Sequence, residues 1–184
     1  VRKEGKEEAI FLKEYCEEND IIFESMIIEK YGDDNFHNEA RAIRYSFFDK
    51  IVKKYDANYL MTAHHGDDLM ETILMRIVRG SSLKGYAGFK TVVEKDTYKI
   101  VRPLIFMTKE EIKDYDDKLG IKYAIDASNF KAKYTRNRYR KVVLPFLKEE
   151  DKNVHMHFLK FSKLLFEYDN YVEKETQNKL KKVY

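Results

Sequence analysis

The spacing of apolar residues predicts five alternating elements in the first half of the chain. Steps of three and four mark helices, and runs of β-branched residues mark strands. In chain order these are a helix over residues 3–18, a strand over 21–28, a helix from Asn38 to about 55, a strand over 59–63 and a helix over 67–79. Strands alternating with helices of this length predict an α/β fold, a parallel sheet with helices on both faces.

In the second half of the chain, the sequence pattern predicts short strands and several helices. They follow a glycine-rich connector over residues 80–88: a hairpin or two short strands over 89–102, a helix after the Thr108/Glu111 capping box that ends at Gly120, a helix over 135–150 with a kink or break at Pro145, and one long helix over 153–180. Apolar residues on the last helix recur at steps of four and three. That stripe fits packing against the domain, a link to a further domain, or pairing with a second copy.

Composition narrows the class of protein. The chain has 184 residues, about one domain, and 36% are charged although the net charge is only +3. That balance permits a nucleic-acid partner without requiring one. Cys16 is the single cysteine, which excludes an internal disulfide and a multi-cysteine metal site and suits a reducing cytoplasm. No apolar run approaches the roughly 18 residues of a membrane span, so we expect no membrane partner.

A basic run lies between residues 131 and 141 and contains no acidic residue. Its basic side chains are Lys131, Lys133, Arg136, Arg138, Arg140 and Lys141, and Asn137, Tyr134 and Tyr139 lie among them. Such a run is suited to bind phosphates and to stack on bases. The same residues also fit the solvated start of a basic helix.

Polar residues cluster at the junction between the strand over 59–63 and the helix that follows it. His64, Asp68 and Glu71 are spaced by four and three, and the helix places Asp68, Glu71 and Thr72 on one face. Free backbone N–H groups at a helix start favour phosphate, and carboxylates there suit Mg²⁺. Asp67 needs no function beyond that of an acid at a helix start. Zinc is disfavoured because neighbouring His64 and His65 point to opposite sides of an extended strand.

The residues around this junction resemble the tRNA(Ile)-lysidine synthetase family, within the PP-loop ATP pyrophosphatases. Residues 64–72 match its H-x-x-x-D-x-x-E-T pattern, and Arg76 and residues 79–85 match R-G-[ST]-G-L-x-G with Ser82 in place of the second glycine. Further matches keep their order at residues 38–45, 100–112 and 126–145. The SGGxDS loop with which the family grips ATP phosphates does not occur in the chain. A glycine-rich loop cradles phosphate with bare N–H groups.

The resemblance implies a carbon–nitrogen ligase that uses ATP and Mg²⁺. Such enzymes adenylate the wobble cytidine of the tRNA(Ile) with a CAU anticodon and then join free lysine to it. On that template Asp68, His64, Glu71, Arg41 and Arg136 are the catalytic candidates. His64 and Asp68 would face ATP, and Asp68 would hold Mg²⁺. The residues expected to contact tRNA or phosphate are Arg136, Asn137, Arg138, Arg140, Lys131 and Lys133.

Two other functions stay open. A tRNA thiolation ATPase of the same superfamily is one, although its iron–sulfur members need several cysteines. The other is a fragment that binds tRNA without catalysis. We expect residues 1–150 to form an incomplete catalytic domain, inactive alone, and residues 151–184 to form a long helix toward further domains. A parallel sheet without its leading strand exposes an edge, which favours a covering partner such as a homodimer, or a rearranged sheet.

Overall fold

The computed structural model describes residues 3–28, 36–124 and 135–182, and helices predominate there. In chain order the elements are α1 (Lys3–Glu18), α2 (Phe36–Lys54), β1 (Tyr59–Met61), α3 (Gly66–Arg79), α4 (Leu83–Tyr86), β2 (Val92–Glu94), β3 (Lys99–Val101), a 3₁₀ turn (Pro103–Phe106), α5 (Lys109–Leu119), α6 (Thr135–Arg138), a π-helical turn (Tyr139–Val143), α7 (Leu144–Glu150) and α8 (Val154–Leu180). None of these described helices is both long and apolar enough to cross a membrane.

The chain divides into two compact units. The first comprises Val1–Leu60 with Asp96–Tyr98, and the second Met61–Lys95 with Lys99–Tyr184. In the first unit Tyr98 donates a hydrogen bond to Asp49 of α2, and this bond connects the segment Asp96–Tyr98 to that helix. Burial, followed by the bond to Asp49, raises the pKa of Tyr98 to about 12.

An apolar cavity of about 350 Å³ lies within the first unit. Its lining includes Phe23, Phe47 and Ile51. Glu24 also lines the cavity and accepts a hydrogen bond from the Tyr55 hydroxyl at 2.6 Å. The predicted strand over residues 21–28 is wrong, because these residues are not assigned to a strand. A β-branched run becomes a strand only when another strand supplies its hydrogen bonds, and no described segment pairs with it.

Within the described residues, the sheet consists of three short strands in the order β1-β3-β2. β2 and β3 form the predicted hairpin, antiparallel and in register with Val93 opposite Ile100. Ile100 is buried, whereas Lys99 beside it is exposed, as expected for a sheet with one packed face. The described part of the sheet is therefore smaller than predicted, and its hairpin is antiparallel.

The core of the second unit forms where α3 meets α8. Leu69, Ile73, Ile105 and Leu159 are buried there, with Phe89 and Phe158 packed against them. The stripe predicted for α8 faces this core only in part. The buried positions on α8 are His155, Leu159 and Ser162, whereas Phe161, Tyr168 and Val172 are exposed. The packed face of α8 therefore includes the polar residues His155 and Ser162, which a stripe of apolar residues does not reveal.

Local signals account for two of the helix boundaries and miss a third. Thr108 and Glu111 form the predicted capping box, and Gly120 ends α5 with φ +67° in the left-handed region. Near Pro145, where a kink or break is predicted, a π-helical turn interrupts the α-helix, and in it the Leu144 N–H donates to the Tyr139 carbonyl. The helix predicted to start at Asn38 begins earlier, at Phe36.

Gly88, between α4 and β2, is held by two constraints at once. Its φ is +78°, and a Cβ there would lie 2.8 Å from Leu69 Cδ1 in the core. Gly120 has a similar φ of +67° with nothing within 4 Å of an added Cβ. Backbone strain from an added side chain is therefore expected at both glycines, whereas steric overlap is expected only at Gly88.

We therefore expect Gly88→Ala to destabilise the protein by about 3 kcal/mol and Gly120→Ala by only about 1 kcal/mol. Backbone strain is common to both variants, and the overlap with Leu69 is specific to Gly88. Urea unfolding followed by circular dichroism measures the difference. Equal losses in the two variants would contradict the packing argument.

Candidate active site at the start of helix α3

The start of α3 is fixed by backbone contacts and close packing. His65 precedes the helix in an extended conformation, and its N–H donates to Asp68 Oδ2 at 3.2 Å. The Gly66 N–H donates to the Met107 carbonyl at 2.8 Å. A Cβ on Gly66 would lie 3.0 Å from that carbonyl oxygen and 3.1 Å from His155, so a glycine lets the segments approach. These contacts set where Asp68 and Glu71 project.

Two carboxylates on α3 contact two arginines of the basic run, one on α6 and one in the π-helical turn. Arg136 bridges both carboxylates: its Nε donates to Glu71, and its Nη2 lies 2.9 Å from Asp68 Oδ1. Arg140 donates from Nε to Glu71 Oε1 at 2.7 Å and from Nη2 to Oε2 at 3.3 Å. The four side chains, Asp68, Glu71, Arg136 and Arg140, are called the charged cluster below.

Exposure differs sharply within the charged cluster. The Glu71 side chain is 0% exposed and that of Asp68 is 15%, whereas Arg136 is 45% and Arg140 is 26% exposed. A fully buried carboxylate stays charged only when paired and hydrogen-bonded, and two arginines provide this for Glu71. Burial disfavours the charged form of Arg140, but hydrogen bonding to Glu71 together with the charges of Glu71, Asp68 and Asp67 outweighs that and raises the pKa of the guanidinium.

A second ionic group lies beside the first, and sequence reasoning did not find it. Asp67 is buried, and its Oδ2 accepts from Lys148 Nζ at 2.8 Å and from the Lys109 N–H at 3.2 Å. Lys148 also contacts Glu110 Oε2 at 2.5 Å. Asp67 thus joins the starts of α3 and α5 to α7, which is more than the role of a helix-start acid. No local signal points to Lys148, which lies 81 positions away.

Comparison with known proteins decides the family. A family model for the PP-loop domain matches residues 1–147. The chain belongs to the PP-loop family. It is similar to the tRNA(Ile)-lysidine synthases of Bacillus cereus, at 46% identity, and of Bacillus subtilis, at 40%, in each case over 98% of this chain and 39% of the relative.

The relatives of this PP-loop domain are longer than the chain itself. The chain spans about two fifths of the length of the lysidine synthases it matches, 39%. It also matches a bifunctional TilS/HprT protein of Listeria innocua at 40% identity, over 99% of this chain and 29% of that protein. The resemblance drawn from residues 38–145 is confirmed.

A solved structure supports the PP-loop fold. The U34-tRNA thiolase NcsA of Methanococcus maripaludis, solved with its [4Fe-4S] cluster, superposes with a TM-score of 0.69 at 15% identity. The match covers 88% of this chain and 57% of the thiolase. At this identity it shows the fold alone. The predicted α/β class with a helical C-terminal segment is confirmed.

The remaining predicted site residues of this PP-loop domain lie in several places. His64 follows β1, with Nδ1 2.9 Å from the Thr62 hydroxyl oxygen and its ring 5.3 Å from that of Phe89. Asn137 is buried and Arg138 exposed on α6. Arg41 belongs to the first unit, where its guanidinium lies 4.7 Å above the Tyr45 ring. Lys131 and Lys133 lie outside the described residues.

The glycine-rich connector of this PP-loop domain is pinned to α3 by Arg76. Its Nη1 donates to the Gly85 carbonyl at 2.6 Å and to the Gly88 carbonyl at 2.8 Å. Ser82 caps α4 by accepting from the Gly85 N–H, with an ordinary φ of −79°. That φ needs no glycine, which explains why serine serves where the family pattern has glycine.

The described residues do not form a metal site as they stand. No group of three or more His, Cys, Asp or Glu side chains suited to a metal ion occurs among them. At Asp68, Oδ1 lies 2.9 Å from Arg136 and Oδ2 accepts from the His65 N–H. A hard cation would have to compete with these donors for the same oxygens.

Proposed function

We propose that this chain is the catalytic PP-loop part of a tRNA(Ile)-lysidine synthase, which ligates lysine to the wobble cytidine of an isoleucine tRNA with a CAU anticodon. The observation that carries the proposal is the charged cluster at the start of α3. It lies within a stretch similar to lysidine synthases over 98% of the chain. The proposed substrates are ATP, free lysine and the tRNA.

The first proposed step transfers AMP to the tRNA. The C2 oxygen of the cytidine attacks the α-phosphate of ATP, which forms an O–P bond and releases pyrophosphate. Charge develops on the phosphoryl oxygens, and cations placed beforehand stabilise it. Arg136 is the cluster member suited to this contact, because it is 45% exposed and held in place by two carboxylates. Arg41 and His64 remain candidates for phosphate contacts, and Mg²⁺ remains a prediction tied to the ATP phosphates.

The second proposed step joins lysine. The lysine ε-amine attacks C2, the new C–N bond forms, and the C2–O bond to AMP breaks. A carboxylate near the amine binds its ammonium form and takes the proton that makes it nucleophilic. Asp68 suits this role better than Glu71, since 15% of its side chain is exposed and Glu71 is wholly buried.

The two alternative functions are less well supported. A thiolation ATPase with an iron–sulfur cluster requires several cysteine ligands, and Cys16 is the sole cysteine in the chain. A fragment that only binds tRNA would not need one buried and one partly exposed acid held by two arginines. Homodimer formation remains a prediction, and so does a cytoplasmic location.

The deciding experiment uses a longer protein that contains this chain, matched in length to its relatives. It is incubated with ATP, labelled lysine and the isoleucine tRNA carrying CAU. We expect label in the tRNA and a mass increase on its wobble cytidine, and neither with a tRNA whose wobble base is uridine. Incorporation of sulfur from a sulfide donor, with no lysine, would favour the thiolation alternative and overturn the proposal.

A further inference from the structure

Arg140 is directed toward the protein interior, although it belongs to a basic run suited to RNA phosphates. It lies in the π-helical turn, and its side chain is 26% exposed. Two of its nitrogens, Nε and Nη2, donate to the two oxygens of Glu71 at 2.7 and 3.3 Å. This paired geometry is the strong, directional form of an arginine–carboxylate contact.

Glu71 is saturated by the two arginines. Its Oε1 accepts from Arg140, and its Oε2 accepts from both Arg136 and Arg140. Its side chain is 0% exposed. A carboxylate so enclosed reaches a substrate only by breaking these bonds, and a buried unpaired arginine is costly. In this arrangement Glu71 fixes the position of Arg136, the most exposed member of the charged cluster, by accepting its hydrogen bond.

We propose that Arg140 is a positioning residue: it orients Glu71, and through Glu71 it sets the direction in which Arg136 faces Asp68 and the substrate. The inference rests on the proposed lysidine activity and concerns how that site is held. It assigns Arg140 to the interior of the site, rather than to the surface that contacts tRNA.

The charge count explains why a second arginine is needed. Two carboxylates face two guanidinium groups, so each acid is matched. Without Arg140, Arg136 would be the remaining described partner of the buried Glu71, and both of its donating nitrogens would be drawn toward that carboxylate. The contact between Arg136 Nη2 and Asp68 Oδ1, now 2.9 Å, would be lost. Lysine in place of Arg140 keeps the charge but lacks the planar fork that engages two oxygens.

The test compares variants of the longer lysidine-forming protein. Arg140→Gln should lower kcat for lysidine formation by about 30-fold, as loss of a partner behind a directly acting residue does. Arg140→Lys should restore part of that loss. The affinity for tRNA and its salt dependence should stay at wild-type values, because a lost phosphate contact would reduce the salt slope by about one. Lys113→Gln, at an exposed position on α5, removes one positive charge as a control.

The double variant Glu71→Gln/Arg140→Gln distinguishes positioning from simple stabilisation. If Arg140 acts through Glu71, the double variant should be no slower than the slower single variant, and it leaves no charge of this pair unpartnered. Additive losses in kcat would overturn the inference, as would weaker tRNA binding with an unchanged kcat in Arg140→Gln. A wild-type protein that forms no lysidine would instead overturn the proposed function, so the two failures differ.

Discussion

Replacing Asp68 with alanine should lower tRNA-dependent ATP–pyrophosphate exchange by about a thousandfold, near 4 kcal/mol in the transition state. Asp68 is the partly exposed carboxylate of the charged cluster, and it fixes Arg136 through the 2.9 Å contact at Oδ1. Its removal takes away the restraint on that guanidinium, which the proposal places against the α-phosphate in the step that exchange measures. The exchange rate is measured in the longer protein, with and without the isoleucine tRNA.

Two companion variants sharpen the interpretation. Asp68→Asn keeps the size and one acceptor for the His65 N–H but not the charge, so it should remain strongly impaired while the helix start is retained. Asp114→Ala, at an exposed position on α5, removes an acid outside the cluster and should leave exchange unchanged. Near-normal exchange in Asp68→Ala would refute the assignment of the cluster as the site.

The parts of the fold that could be predicted depend on local signals. The capping box at Thr108, the stop at Gly120 and the hairpin between β2 and β3 each follow from a few neighbouring residues. The strand prediction for residues 21–28 was wrong because a β-branched segment forms a strand only when a partner strand lies beside it. Pairing is a long-range property, which no short window contains.

The four members of the charged cluster were all among the predicted candidates, but their arrangement could not be predicted. Helical spacing places Arg136 and Arg140 on one face, as it places Asp68 and Glu71 on another. That spacing does not show that the two faces meet. In the structure they do meet, and both arginines contact Glu71. The burial of Asp67 depends on Lys148 in the same way, since that contact spans 81 positions.

The ionic group at Asp67 should make a large contribution to the stability of the fold. Asp67→Ala and Lys148→Met should each lower the free energy of unfolding by about 3 kcal/mol, because each leaves a mostly buried charge without its main partner. Asp67→Ala also removes the acceptor for the Lys109 N–H at the start of α5. Urea unfolding at neutral pH, followed by circular dichroism, measures both losses.

The double variant and the pH dependence test whether the loss is electrostatic. Asp67→Ala/Lys148→Met leaves neither charge alone, so it should cost clearly less than the sum of the single variants. Burial lowers the pKa of Lys148, but the hydrogen bonds to Asp67 and Glu110 together with the charges of those two acids outweigh that and raise the pKa above the ordinary 10.5. A raised pKa means that this stabilisation is complete below pH 10.5 and fades as the pH rises through the folded-state value. The stability gap between wild type and Lys148→Met should therefore stay constant from pH 7 to 10 and narrow above that range. Strict additivity, or a gap that does not narrow, would show that packing and not charge holds α3, α5 and α7 together here.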